Sequence, residues 1–218
     1  MKNRVINIGW DISHLEFTID DHYYFSKLKT LLNSSVSSVR EVSVFYELEF
    51  SDVIVLNYPE IGFTDYETDF LYHMVKSGKR VIVTGYYNNE DNIGDTVNTL
   101  CSRFGVHLNK DEIKNKDNNA DSDPLLPVTS SILAYNQSVT EVMLPCCASI
   151  DIIGDGVRPF ILNKAGNVKK NDVMGTITNT GKGQFLLIGT CVFWDNYAIT
   201  KYSNSIFSLN MLISPVIS

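Results

Sequence analysis

The chain has 218 residues, 44% of them hydrophobic and 20% charged, and carries a net charge of −7. That length fits one large domain or a domain with an appendage, and the composition fills a core and argues against global disorder. An acidic chain with no basic stripe argues against a nucleic-acid partner, and no apolar run approaches the ~20 residues of a membrane helix.

The first apolar run, "RVINIGW" (residues 4–10), is rich in β-branched residues and reads as a central strand. It runs straight into "DISHLEF", which places Asp11, Ser13, His14 and Glu16 where that strand should end. From Asp20 or Asp21, "DHYYFSKLKTLLN" starts with an acidic cap and sets Tyr24, Leu28, Leu31 and Leu32 at helical spacing. "SVREVSVFYEL" is a second predicted strand, and "DVIVLNYP" a third, closed by Pro59.

"FTDYETDFLYHMVKSGKR" carries the clearest helix signal. Thr64 is the predicted N-cap with Glu67 three residues on, which is a capping box, and Phe63 is placed for a hydrophobic staple. Phe70, Leu71, Met74 and Val75 give the apolar face, and Gly78 closes the helix. "RVIVTGYY" returns as a fourth strand. "NNEDNIGDTVNTLCSRFGVHL" then predicts a helix capped by Asp95 or an earlier Asn and ended by Gly105.

Strand and helix alternate at the spacing of βαβ units, which build a parallel sheet with right-handed crossovers. The pattern breaks at residues 109–124, "NKDEIKNKDNNADSDP", polar and expected to be a mobile surface loop. Short apolar runs split by Pro, Gly and Asn follow, reading as antiparallel strands and hairpins. "GKGQFLLIGTCVFW" is a turn and a buried strand. "NSIFSLNMLIS" predicts a closing helix with Ile206, Leu209, Leu212 and Ile213 inward. The expected fold is therefore α/β, a three-layer flavodoxin-like, mainly parallel sheet with a β-rich insertion. Residues 1–109 and 181–218 form the core, and 110–180 the polar loop and insertion.

The cysteines are Cys101, Cys146, Cys147 and Cys191. None sits in a CxxC or at zinc spacing to a His, and they read as small buried hydrophobes. The opening "MKNRVINIGWD" lacks a signal peptide's apolar core, so a cytoplasmic setting is expected. The final "ISPVIS" leaves open that this is a domain of a longer chain with a membrane segment downstream.

The order of these stretches resembles the class I glutamine-amidotransferase-like superfamily. Within it, the chain is similar to a non-catalytic branch: domains of unknown function, auxiliary domains of ABC-type transport systems and an intraflagellar-transport N-terminal domain. "DISHLEF" looks like that branch's polar motif. "DVIVLNYPEIGFTDYETDFLYHMVKSGKRVIVTG" looks like its central strand–helix–strand unit, and "NTLCSRFGVHLNKD" like the segment that follows it. "GKGQFLLIGTCVFWDNYAITKYSNSIFSLNML" looks like its closing strand and tail. Members with amidotransferase activity carry a cysteine in a G-x-C-x-G turn and a His-x-Glu pair after the last strand. Here the turn reads Gly85-Tyr86-Tyr87-Asn88 and the tail "GTCVFWDN", so neither a thiolate nor its base is supplied and glutamine hydrolysis is not expected.

In an open α/β sheet, ligands bind where loops leave the carboxyl ends of the strands. Asp11, Ser13, His14 and Glu16 would lie there with Asn57, Tyr58 and Glu60, with Tyr86, Tyr87 and Asn88, and with Trp194, Asp195 and Asn196. Four loops thus bring polar and aromatic groups to one edge, the layout of a pocket. Against this, Asp and Ser after a strand commonly cap turns, and tyrosines suit a core edge as well as an interface.

Asp11, His14, Glu16 and Asp195 carry donors that suit Mg, Mn, Fe or Zn. No H-x-H, HExxH or DxDxD spacing supports that, and neither a metal nor a cofactor is assigned. Ser13 and His14 are expected to point apart on an extended segment, and Cys191 to sit in a buried strand, so neither makes a nucleophile pair. "GDGVRP" and "NTGKGQ" read as hairpin turns.

The leading expectation is a non-enzymatic domain that binds an unidentified small molecule or protein partner, as a monomer or homodimer. Two alternatives stay open. One is a hydrolase or sugar-processing enzyme using Asp11, His14 and Glu16 as acid–base or metal groups. The other is an assembly module acting through the helix "DYETDFLYHMV" or a sheet edge.

Overall fold

The first apolar run forms β1 (Ile6–Asp11), and the acidic cap starts α1 (His22–Asn33). Asp21 accepts hydrogen bonds from the amides of Tyr23 and Tyr24, satisfying two of the free donors of the first turn. The computed structural model describes residues 5–164, 166 and 171–214; Arg4, the expected first strand residue, and residues 215–218 lie outside them.

The second strand is shorter than expected. β2 (Ser37–Val42) stops before Ser43, and residues Phe45–Phe50 wind into a 3₁₀ helix. Phe45 and Leu48, three residues apart and therefore on one side of such a helix, are the two that bury.

β3 (Val53–Asn57), α2 (Asp65–Ser77) and β4 (Arg80–Thr84) follow as expected. The capping box forms: the Thr64 hydroxyl receives the Glu67 amide, and the Glu67 carboxylate receives the Thr64 amide at 2.8 Å. Gly78, at φ 122°, turns the chain out of the helix with a backbone that L side chains rarely adopt. Thr64→Ala is expected to lower stability by about 1 kcal/mol, read as a lower urea midpoint at unchanged m-value.

α3 (Ile93–Cys101) is entered through a run of left-handed residues, Asn88, Asn89, Asp91 and Asn92. Asn and Asp tolerate that conformation better than other side chains. The Asn89 side chain, not Asp95, receives the amide of Asp95 at 3.0 Å.

β5 (Val106–Leu108), β6 (Val128–Thr129), β7 (Val142–Met143) and β8 (Ile150–Ile152) make two small antiparallel ribbons, β5 with β8 and β6 with β7. β9 (Val157–Leu162), β10 (Val173–Thr180) and β11 (Gly183–Ile188) join the main sheet. Its order is β2-β1-β3-β4-β11-β10-β9. Pairing is parallel from β2 to β11 and antiparallel for β10 and β9. The parallel part has the flavodoxin-like order with its switch point between β1 and β3. The hairpin from β9 to β10 therefore extends the central sheet.

Two apolar layers flank the sheet, and side chains alternate between them along each strand. Ile8, Trp10, Val55, Ile82, Leu186 and Ile188 meet α1 and α4 (Asn204–Ile213) on one side. Ile54, Leu56, Val81, Val83, Phe185 and Leu187 meet α2 and α3 on the other. This is the expected three-layer α/β arrangement.

Two expectations are corrected. Residues 109–124 form no loose loop. The Asp111 carboxylate receives the Ser149 amide at 2.8 Å and its hydroxyl at 2.7 Å, Ile113 N donates to Cys147 O, and Asn115 Oδ1 receives the amides of Asp117 and Asn118. The polar side chains satisfy backbone groups there in place of a ladder. In α4 Leu212 is buried and Leu209 and Ile213 pack half-buried against the core as expected, but Ile206 is 40% exposed and Phe207 and Met211 are buried in its place. A helix apolar nearly all round gives no unique inner face from periodicity.

Candidate functional site

Asp11 ends β1 one residue after Trp10. Alternation therefore sends Trp10 to the α1 side and Asp11 to the α2 side of the sheet. The chain then turns tightly, with Leu15 at φ 57°, so Ser13 and His14 fold back over Asp11. Asp11 Oδ1 receives the Ser13 amide at 3.1 Å and its hydroxyl at 2.8 Å; Asp11 Oδ2 lies 3.0 Å from His14 Nδ1. Ser13 Oγ is itself 3.0 Å from Nδ1. The expectation that Ser13 and His14 point apart is thus corrected: the aspartate-centred turn draws both onto one carboxylate.

Glu16 closes the cluster. Its Oε2 accepts the His14 amide at 2.8 Å, and Oε1 stands 3.9 Å from Nδ1. On the outer side His14 Nε2 faces Glu67 of α2 at 3.6 Å. The imidazole is walled by Phe63 and Phe45, with ring centroids 4.3 and 5.0 Å away. Asp11, His14 and Glu16 are all buried. Burial, then the Asp11 charge, pushes Glu16 well above the ordinary carboxylate range. Burial works to lower His14, but the Asp11 hydrogen bond and charge and the Glu67 carboxylate outweigh it, and its pKa is raised. Burial works to raise Glu67, but Thr64 and His14 hold it below the usual value.

Of the other expected residues, Asn57 and Trp194 lie on the opposite face of the sheet, whereas Tyr58 and Tyr86 pack in the α2 and α3 layer. Asn57, at the end of β3, is fully buried. Its Oδ1 receives Thr84 Oγ1 at 2.9 Å and Trp194 Nε1 at 3.0 Å, and its Nδ2 reaches Phe17 O at 3.4 Å. The Trp10 indole donates to the same Phe17 carbonyl at 2.7 Å. Asn57 and Trp194 are thus a floor, not ligand contacts.

Above that floor, over the carboxyl ends of β3, β4 and β11, opens a cleft of about 570 Å³. Of the expected residues, Tyr58, Tyr86 and Asp195 line it. Phe17, Tyr24, Glu90, Asp91, Cys146 and Tyr197 line it as well. Asp123, Leu126, Pro145 and Cys146 make a wall from the polar and β-rich segment. Nothing in the sequence announces that wall, because it depends on where an irregular segment packs. Asp91 carried a weak signal, as part of an Asn/Asp run suited to left-handed backbone.

Tyr58 holds φ 62°, an uncommon conformation for a bulky residue. It is fixed there by Thr84 Oγ1 on its amide, by its hydroxyl donating to Asp91 at 2.8 Å, and by Phe17 stacked at 4.8 Å. Cys146, at φ 51°, is the half-buried cysteine; Cys101, Cys147 and Cys191 are buried. Burial raises the pKa of both cleft thiols, Cys146 and Cys191, so neither is poised as a thiolate. Burial also raises Asp195, against the amides of Ala198 and Tyr197 that its Oδ1 accepts.

The remaining residues lie outside the cleft lining. Tyr87 packs edge-on against Tyr86, and a hydrogen bond to Glu90 pushes its phenol up to about 12. Asn88 is exposed, its amide donating to Asp111 O. The Glu60 amide donates to His14 O, tying the loop after β3 to the His14 turn. Asn196 staples the loop after β11 to the start of α1, its Nδ2 donating to Tyr23 O at 2.6 Å.

No family model matches this chain. An uncharacterized protein of Aquifex aeolicus (strain VF5) is 42% identical over 221 aligned residues, covering 95% of this chain and 93% of that protein. Among solved structures, the mmIFT52 N-terminal domain superposes with a TM-score of 0.78 at 16% identity, covering 97% of this chain and all of that one. A cytoplasmic protein from Salmonella typhimurium gives 0.54 at 12% identity over 98% of this chain and 100% of its own. A β-galactosidase from Rahnella sp. R3 gives 0.51 at 15% identity, over 78% of this chain and 23% of the enzyme. At these identities the structural likeness shows a shared fold.

Proposed function

This chain belongs to one family with the uncharacterized protein of Aquifex aeolicus, and from that premise we propose a non-catalytic binding domain of the glutamine-amidotransferase-like superfamily. Its ligand is a small molecule held in the cleft over β3, β4 and β11. The observation that carries this is the lining. The rings of Phe17, Tyr24, Tyr58, Tyr86 and Tyr197 surround the carboxylates of Glu90, Asp91, Asp123 and Asp195, without a Lys or Arg among the described lining residues. Rings and carboxylates favour a ligand that presents cationic or hydroxyl groups and repel an anion. The strained Tyr58 and Cys146 both face this space, and strain of that kind gathers at ligand sites.

The raised pKa of both cleft thiols supports the non-catalytic reading. No histidine lines the cleft among the described residues, and an unactivated thiol is a poor nucleophile. The convergence of Asp11, His14 and Glu16 favours the hydrolase alternative, but their burial behind Phe45 and Phe63 leaves no room for a substrate. Among the described residues no helix is long and apolar enough to cross a membrane. With four free cysteines, a cytoplasmic setting fits the chain.

Saturation-transfer NMR against a panel of amines, polyols and simple sugars tests the proposal. Binders are expected, and Tyr86→Ala and Asp195→Asn should each weaken them about 5- to 10-fold, the worth of one ring or ion contact. A panel without binders, or binding unchanged in both variants, would refute the cleft as the site.

A further inference from the structure

Outside the cleft lining, the Asp11–His14–Glu16 cluster has a geometry that hydrogen bonding within the protein does not use up. We infer that Asp11, His14 and Glu16 form a site for a divalent first-row transition ion of the zinc or manganese class, separate from the cleft. One oxygen of each carboxylate and one imidazole nitrogen lie within 4.8 Å of one another. The edges from His14 Nδ1 are 3.0 Å to Asp11 Oδ2 and 3.9 Å to Glu16 Oε1. Ligands about 2.0–2.2 Å from a tetrahedral zinc are separated by roughly 3.3–3.5 Å, so the observed edges bracket what an ion needs.

A second observation points the same way. Glu16 Oε1 is buried and has no hydrogen-bond partner among the described residues, though Oε2 is anchored on the His14 amide. The side chain is therefore oriented with one oxygen spare, aimed at Nδ1. A buried oxygen left so costs free energy that a ligated ion would recover.

The surroundings match a metal site's outer shell. A ligating imidazole commonly directs its other nitrogen to a carboxylate, which fixes the ring. His14 Nε2 faces Glu67 at 3.6 Å, and Glu67 is itself held by the Thr64 hydroxyl at 2.7 Å. Ser13 Oγ, 2.8 Å from Asp11 Oδ1, orients the first carboxylate and stands ready as a further oxygen donor. One nitrogen with carboxylate oxygens and no sulfur suits Zn²⁺, Mn²⁺, Co²⁺ or Fe²⁺ over Cu⁺, and so few donors are too few for Ca²⁺. Uptake displaces the proton on His14 Nδ1 and the proton on the Glu16 carboxyl, and both leave to solvent as the ion takes their place.

The test is titration of the chelator-treated full chain with Zn²⁺ and, for its visible spectrum, Co²⁺, with Mg²⁺ and Ca²⁺ as controls. The expected result is about one Zn²⁺ per chain, and Co²⁺ bands displaced by Zn²⁺. Glu16→Gln and Asp11→Asn keep size and shape and should abolish stoichiometric binding with unchanged circular dichroism. Glu67→Gln, which touches no ion, should weaken it about 10- to 100-fold. Folded wild-type protein that binds neither ion at stoichiometric level, or binding that survives in Glu16→Gln, overturns the inference. If Asp11→Asn fails to fold, the Glu16→Gln and Glu67→Gln results decide alone.

Discussion

Replacing Asn57 by leucine is expected to destabilise the protein by about 3–5 kcal/mol. The side chain is fully buried at the switch point of the sheet, where its one carbonyl oxygen accepts from both Thr84 and Trp194. Leucine matches the volume but accepts nothing, so two buried donors lose their partner at about 1–3 kcal/mol each. The Nδ2 contact to Phe17 O is lost as well. Phe17 loosens with it, and Phe17 stacks on the strained Tyr58. Urea denaturation should show a lower midpoint at unchanged m-value. Asn57→Asp, which keeps the acceptor, should lose less. A leucine variant within about 1 kcal/mol of wild type would show that Thr84 and Trp194 find other acceptors.

Arg80→Ala is the second large effect, expected at about 3–5 kcal/mol. Arg80 opens β4 and is only 2% exposed. Among the described residues it has no carboxylate partner. Instead Nη1 donates to Met211 O at 2.5 Å and Nη2 to Ser214 O at 3.0 Å, the carbonyls left open where α4 ends. The guanidinium lies 4.9 Å over the Tyr135 ring. A cation at a helix C-terminus meets the negative end of the helix dipole, and charge-assisted bonds are worth about 1.5–3 kcal/mol each. Burial tends to lower its pKa, but a guanidinium stays charged. Alanine removes both bonds and opens a cavity between sheet, Tyr135 and helix. Arg80→Met refills the space without the donors, so it should recover part of the loss. The check is thermal and urea unfolding of both variants. Equal stability of Arg80→Ala and wild type would mean that α4 docks by its apolar face alone.

How far the sequence alone reaches differs along the chain. Helix α2 was legible to its caps, because Thr64, Glu67 and Gly78 act on backbone groups within a few residues of themselves. Strands β1, β3, β4 and β11 were legible because strands buried on both faces are apolar throughout. The Asn/Asp run before α3 reads only as the source of a helix cap, although Asn and Asp suit the left-handed backbone it adopts. By contrast, the face of α4 was ambiguous, since apolar residues surround it, and residues 109–124 looked loose because their polar groups are satisfied by distant partners such as Ser149. Arg80 gave no signal, since nothing local says that a helix terminus 131 residues later will meet it.

The candidate residues divide in the same way. Local sequence placed Asp11, Ser13, His14 and Glu16 together at the end of β1 but pointed Ser13 and His14 apart; the turn with Leu15 at φ 57° brings both onto the Asp11 carboxylate. Sequence also placed Asn57, Tyr58, Tyr86 and Asp195 at strand ends on one edge of the sheet. Only the tertiary structure decided that these separate into a buried cluster and the surroundings of a cleft. Alternation of side chains across the sheet sends Asp11 toward Phe45, Phe63 and Glu67 of one layer, and Asn57, Thr84 and Trp194 toward the other. The cleft further needs a wall from Asp123 to Cys146, whose position is set by packing against the finished sheet. Short-range hydrogen bonds are written in neighbouring residues; which face they end on, and what closes over them, follows from long-range burial.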